Sequence, residues 1–388
     1  MDFRLTADQE ALRRGMRELL AARFGREALR AAVDGDEQQQ VVDGRLWREL
    51  GEAGLFALRA PQSAGGVGLG LPEAVLLFEE AGRVLLPGPL VASHLAGGTG
   101  LVAGAADGSV VVTALEEGPR PDCGAAPLVE HLDAAGAVLA LGEGYGAGAG
   151  EGCPVRVLAP GQLVAEPMRS VDPLSPLHRV HGLLPEQSPD DGSGRFADEQ
   201  PGSGNGDGGT GGGGATDGGA TGGRGATDGG GASDGGGGRL GGVSAEVLRG
   251  EAALLTAALQ LGSACRTLEL AVGYAREREQ FGRPIGAFQA VQHLCAEMLV
   301  RSETARSVVY AAAVTADDEE ISAAKLLADT AAVGNARDCL QVHGGMGFTW
   351  EADVHLHLKR AWLRAEQWRT AVAGEERLAS ALLRPICR

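Results

Sequence analysis

The chain has few aromatics, no closely spaced cysteines, no long apolar run and a shortage of positive charge. Each lack removes a class of protein. Phe, Trp and Tyr together make up 4% of the 388 residues, so the core has to be built from Leu, Val and Ala. That composition favours packed helices over an aromatic-rich β-sandwich. The six cysteines (Cys123, Cys153, Cys265, Cys295, Cys339 and Cys387) form no C-x-x-C pair. Zinc ribbons and redox motifs are thereby disfavoured, no metal site is expected, and reduced thiols in a cytoplasmic protein are the simplest reading. The opening Met1-Asp2-Phe3-Arg4-Leu5 lacks the pattern of a secretory signal, and no apolar stretch reaches membrane-spanning length, so no membrane insertion is expected. Acidic residues number 51 against 34 basic ones, a formal charge of −17. Such a field repels phosphate backbones and argues against nucleic-acid binding, while leaving room for a local basic site.

What is present is a chain of 44% hydrophobic residues, long enough for two or three cores. Residues 1–105 read as a helical domain. Thr6 with Gln9 three residues on is a capping box, and Leu12, Met16, Leu19 and Leu20 follow at helical spacing. Helical segments are also predicted around Leu46–Leu50 and after Pro72, a first-turn proline. Residues 106–186 carry short β-prone runs, at Val110–Thr113, Ala137–Leu141 and Val155–Leu158, and read as a small β-domain. Residues 187–240 are low in complexity: between Asp190 and Gly238 lie eight acidic residues and two arginines among Gly, Thr, Ser and Ala. Such a tract cannot offset its ordering entropy and is expected to be a disordered insert. Residues 241–388 return to helical periodicity and predict a four-helix bundle. Its helices run from near Ser244, after Pro284, from the acidic cluster Asp317–Glu320 to His343, and from near Asp353. The fold class expected is mainly α with a small central β-domain, an α+β multidomain chain.

Two long motifs in the last region carry chemistry. The first is Tyr274-Ala275-Arg276-Glu277-Arg278-Glu279-Gln280-Phe281-Gly282-Arg283-Pro284-Ile285, followed by Phe288-Gln289. The second is Gln341-Val342-His343-Gly344-Gly345-Met346-Gly347-Phe348. Taken alone, the arginines and glutamates of the first also read as a solvated helix end, and Gly344-Gly345 as a helix C-cap. Near the front stand Gly54-Leu55, then Pro61-x-x-x-Gly65-Gly66-x-Gly68, then Glu79-Glu80-Ala81-Gly82-Arg83.

Together these motifs resemble those of the acyl-CoA dehydrogenase family, over the N-terminal third and nearly all of the last 140 residues. The resemblance implies a helical domain, a β-domain and a C-terminal four-helix bundle, with FAD as cofactor. It implies α,β-dehydrogenation of an acyl thioester, on CoA or a carrier protein, with hydride transfer to the flavin. It also implies a homo- or hetero-oligomer, with electron-transfer flavoprotein as the usual electron acceptor. In such a protein Arg278 would reach the flavin diphosphate of a neighbouring subunit, where a forked, charge-assisted donor suits two phosphates. Phe281 and Gln289 would line the same site. Gln341, Gly344 and Gly345 would bring main chain against the cofactor.

The family's catalytic base is a glutamate at one of two places, and neither holds one here. Counted without gaps from the second motif, the first place falls on Trp368, with Glu366 two residues away. Counted back from Arg278, the second falls on Ala252, with Glu251 adjacent. Glu251 is the candidate base, and the step of one residue turns a helical side chain by about 100°. The Thr-Glu-x-x-x-Gly-Ser-Asp type segment of the β-domain also has no counterpart near Thr113–Glu117. An active FAD-dependent acyl-CoA dehydrogenase is the first reading. The alternative is a catalytically silent subunit that completes or stabilises a heteromeric enzyme of this family.

Overall fold

The capping box at Thr6 forms: its hydroxyl accepts from the Gln9 amide and the Gln9 side chain accepts from the Thr6 amide, opening α1 (Ala7–Arg23). The computed structural model describes residues 5–35, 42–116, 126–142, 155–183 and 244–383. These belong to one compact unit. The predicted Gly-rich insert lies outside the described residues.

After α1 come α2 (Arg26–Asp34), α3 (Gly44–Glu52), α4 (Leu71–Arg83) and α5 (Leu90–Thr99). Asp43 caps α3 through the amides of Arg45 and Leu46, and Pro72 lies in the first turn of α4. Trp47 and Phe56 are buried core residues, with ring centroids 4.9 Å apart.

Six strands follow, arranged in two sheets. β1 (Val112–Glu116), β3 (Ala137–Leu141) and β4 (Val155–Leu158) form one, in the order β1-β3-β4, with β1 parallel to β3. β2 (Leu128–Glu130), β5 (Leu163–Met168) and β6 (Leu177–Leu183) form the other, antiparallel throughout, in the order β2-β6-β5. β3 is buried on both faces, and its period of two divides its residues between two cores. Ala137, Leu139 and Leu141 join the main helical core, whereas Val138 and Ala140 pack with Val129 and Val180 of the other sheet.

The C-terminal helices are α6 (Ala245–Glu277), α7 (Gln289–Thr315), α8 (Asp318–His343), α9 (Val354–Ala365) and α10 (Ala371–Leu382). Asp317 caps α8 as the acidic cluster predicts, and Gly344 ends it at φ +59°. The expected fourth helix is short. α9 stops at Ala365, and Trp368 takes a left-handed backbone (φ +63°) that turns the chain into α10. α6 is the central element and crosses α4 at unusually close range. A Cβ added to Gly262 would meet the Glu79 carbonyl oxygen at 1.9 Å, and one on Gly82 would meet that of Leu259 at 2.0 Å. Two glycines facing each other's backbone are what lets these helices touch.

Candidate functional site

The helix expected after Pro284 follows it, starting at Gln289, and Pro284 itself pairs in a two-residue hairpin. β7 (Glu279–Gln280) and β8 (Arg283–Pro284) flank Phe281 and Gly282, at φ +52° and +74°. A two-residue hairpin with both central residues left-handed matches strand twist, but it normally selects Asn or Gly at the first position. Phe281 pays steric strain to stand there, and its ring is 92% exposed. Phe288 meets it edge-on, with centroids 6.0 Å apart, and the Arg283 guanidinium lies 4.3 Å over the Phe288 ring.

The two motifs are brought together by one stack. Tyr274, near the end of α6, lies against His343, the last residue of α8, with ring centroids 4.2 Å apart and planes 20° from parallel. Beneath them is a satellite core that includes Ala275, Met298, Leu340 and Val342. Arg278, Gln289, Gln341, Gly344 and Gly345 are all exposed on this end of the bundle. Neither Gly344 nor Gly345 has any atom within 4 Å of where a Cβ would sit. The side chains of Arg278, Gln289 and Gln341 make no hydrogen bond or ion pair with a described residue. A free forked guanidinium, a projecting ring, two amides and open main chain suit the diphosphate and planar ring of a dinucleotide such as FAD. They form an outer surface, so a second subunit would have to complete the enclosure.

The positions expected to carry a base tell a different story. Ala252 is fully buried in α6. Glu251 is part-buried and held by Arg59: two guanidinium nitrogens donate to its two oxygens, each at 2.6 Å. Arg59 comes from the stretch after α3, 192 positions away. A carboxylate committed in this bidentate way is a poor proton acceptor. Glu366 is exposed at the end of α9. Trp368 packs against the main core.

Beside Trp368 is a cavity of about 20 Å³, walled in part by Leu90, Glu130, Leu259, Arg360 and Arg364. That is space for a water and not for an acyl chain or a flavin ring. Its wall is strongly polar. Arg360 pairs with the buried Asp172 and donates to the Leu86 carbonyl at 3.2 Å. One nitrogen of Arg360 and one of Arg364 have no partner among the described residues. Burial, with Arg360 next to it, lowers the Arg364 guanidinium to about 9. Burial also raises the Glu130 carboxyl, against the Gln367 amide that donates to it at 2.9 Å and the two arginines. Glu130 is absent from the sequence reading because it sits on a three-residue strand with no motif around it.

His355 and His357 do not converge. His355 stacks on Trp350, and the Nδ1 of buried His357 is 2.8 Å from the Ser263 hydroxyl. Among the described residues no cluster of His, Cys, Asp and Glu is placed to hold a metal ion. None of their helices is long and apolar enough to cross a membrane.

Comparison with known proteins agrees with this architecture. Residues 6–107 match the family model "Acyl-CoA dehydrogenase, N-terminal domain", and residues 245–369 match "Acyl-CoA dehydrogenase, C-terminal domain". The acyl-CoA dehydrogenase IpdE2 of Mycobacterium tuberculosis is 31% identical over 362 residues, 91% of each chain. The ChsE4-ChsE5 complex from Mycobacterium tuberculosis superposes with a TM-score of 0.72 at 23% identity, covering 98% of this chain and 99% of that one. PigA, solved with FAD and proline, gives a TM-score of 0.71 at 17% identity over 98% and 99%. These two structures share the fold. The chain belongs to the acyl-CoA dehydrogenase family, and is a dehydrogenase-like flavoprotein of that family.

Proposed function

We propose that the chain acts in the α,β-dehydrogenation of an acyl thioester, in an oligomer whose FAD lies across a subunit boundary. The observation that carries this reading is the exposed surface where the Tyr274–His343 stack joins the two motifs. On it, Arg278 pairs with the diphosphate, Phe281 covers the cofactor, and Gln289 and Gln341 donate hydrogen bonds. Gly344 and Gly345 admit the cofactor to the main chain. FAD, when bound, supplies the acceptor for hydride from the substrate β-carbon. The reaction also needs a carboxylate for the α-proton and donors for the thioester oxygen. Glu251 is this chain's candidate for the carboxylate, and it would have to leave Arg59 to act. Electron-transfer flavoprotein is the proposed electron acceptor.

A second reading is supported by a specific observation. Trp368 and Ala252 stand where a base is expected, Glu251 is clamped by Arg59, and the cavity beside Trp368 holds only a water-sized space. A catalytically silent subunit, lending its motif surface to the flavin of an active partner, would have these features. An absorbance spectrum of the purified protein, before and after anaerobic addition of a panel of acyl-CoAs, separates the two. The first reading expects a bound flavin that bleaches with at least one thioester. A colourless protein, or a flavin that none of them reduces, contradicts it and leaves the silent subunit.

A further inference from the structure

A cavity of about 900 Å³ touches none of the residues discussed above as cofactor or base candidates. It is walled by α2 and α3, by the chain from Pro167 to His178, by Trp350 and by Lys359 of α9. Its size is that of a small-molecule site. The inner wall is apolar, with Phe24, Val33, Leu46, Trp47, Leu50 and Leu177 contributing.

Charge in the wall is unevenly committed. Its three carboxylates are all engaged: Asp43 caps α3, Asp172 holds Arg360, and Asp133 faces the Nε2 of His178 at 3.3 Å. Of its cations, Arg23 is paired with Glu49 at 2.9 Å. Arg169 and Lys359 are not: neither has a carboxylate partner among the described residues, and Lys359 lies 4.9 Å over the Trp350 ring. Two polar atoms of the wall are buried without a partner among the described residues, the Trp47 Nε1–H, in a residue 2% exposed, and the His178 Nδ1.

We propose that this cavity is a second ligand site, for an amphipathic carboxylate whose apolar body fills the Trp47–Leu50 wall and whose anionic group lies between Arg169 and Lys359. The uncommitted cations select the charge of the head, and the apolar wall selects the body. The site is independent of the dehydrogenation reading, since no residue is shared between them.

The test is a titration of the full-length protein with 11-(dansylamino)undecanoic acid, followed by its emission, alongside the corresponding alcohol. The expected result is saturable binding of one carboxylate probe per chain, at least tenfold tighter than the alcohol. Arg169→Glu with Lys359→Glu should weaken the acid at least tenfold and leave the alcohol unchanged. Ala32→Trp, which fills the cavity from α2, should abolish both without shifting the unfolding midpoint. Absence of saturable binding, or equal affinity for acid and alcohol in the unaltered protein, overturns the proposal. The comparison of acid with alcohol stands even where a variant fails to fold.

Discussion

The outer end of the bundle and the interior around Trp368 are built on opposite principles. At the outer end, Arg278, Phe281, Gln289, Gln341 and the two glycines are exposed, and the side chains of Arg278, Gln289 and Gln341 have no hydrogen-bond or ion-pair partner among the described residues. In the interior, Asp172, Arg360, Arg364, Glu130 and Gln367 use one another to fill space and balance charge. Groups left free at a surface are available to something outside the chain. Groups paired in a closed interior stabilise the chain itself, and removing one strands its partner. The same chain therefore holds two kinds of polar surface: one that can lend contacts to something outside it, and one whose groups are spent on each other.

The interior should respond most strongly to substitution. Arg360→Leu leaves Asp172 buried and unpaired, and is expected to cost about 3–5 kcal/mol of unfolding free energy by urea titration. A loss below about 1 kcal/mol would show that the pair is more solvated than its burial indicates.

Acid should reach the interior next. His357 and His131 are held near 3 and His94 near 4, chiefly by burial. Their folded values lie below the ordinary 6.5, so the unfolded chain takes up protons first. Their contribution is complete above pH 6.5 and is lost as pH falls towards 3. Between pH 6.5 and 5.5 each is expected to remove about 1 kcal/mol. Urea midpoints that stay flat over that interval would contradict the burial of these rings.

Arg59→Ala occupies the middle ground. It strands the part-buried Glu251 and should cost about 1–3 kcal/mol, with much of that recovered when Glu251→Gln is added. Without such recovery, Arg59 would be acting through other contacts. The smallest stability effect belongs to the outer end. Phe281→Gly relieves a left-handed backbone and should raise stability by about 0.5–1 kcal/mol while weakening flavin retention. A destabilising result would mean that the edge-on contact of Phe281 with Phe288 outweighs the backbone strain.

The helix boundaries were legible in the sequence where their signals are local. The Thr6–Gln9 box, the Asp317 cap and the stop at Gly344 each act within a few residues, and each forms. Motif residues spaced along two helices come together because Tyr274 and His343 close the bundle's end. The interior was not legible. Arg360 and Asp172 are 188 positions apart, and Arg59 and Glu251 are 192 apart, so no local pattern joins them. α5 escaped prediction because it is buried from Leu90 to Gly97 and has no polar face to set a period. α2 and α10 are short, and β2 is three residues long and pairs with β6, some fifty positions on.

The claim that most needs testing is that the exposed motif surface serves a flavin held between subunits. The direct measurement is FAD per chain in the purified oligomer, for the unaltered protein and for Arg278→Ala, alongside oligomeric state and unfolding midpoint. The account predicts that Arg278→Ala loses most of the flavin while the oligomer and the midpoint stay within error, about 0.5 kcal/mol for an exposed side chain. Full flavin retention in that variant would contradict it.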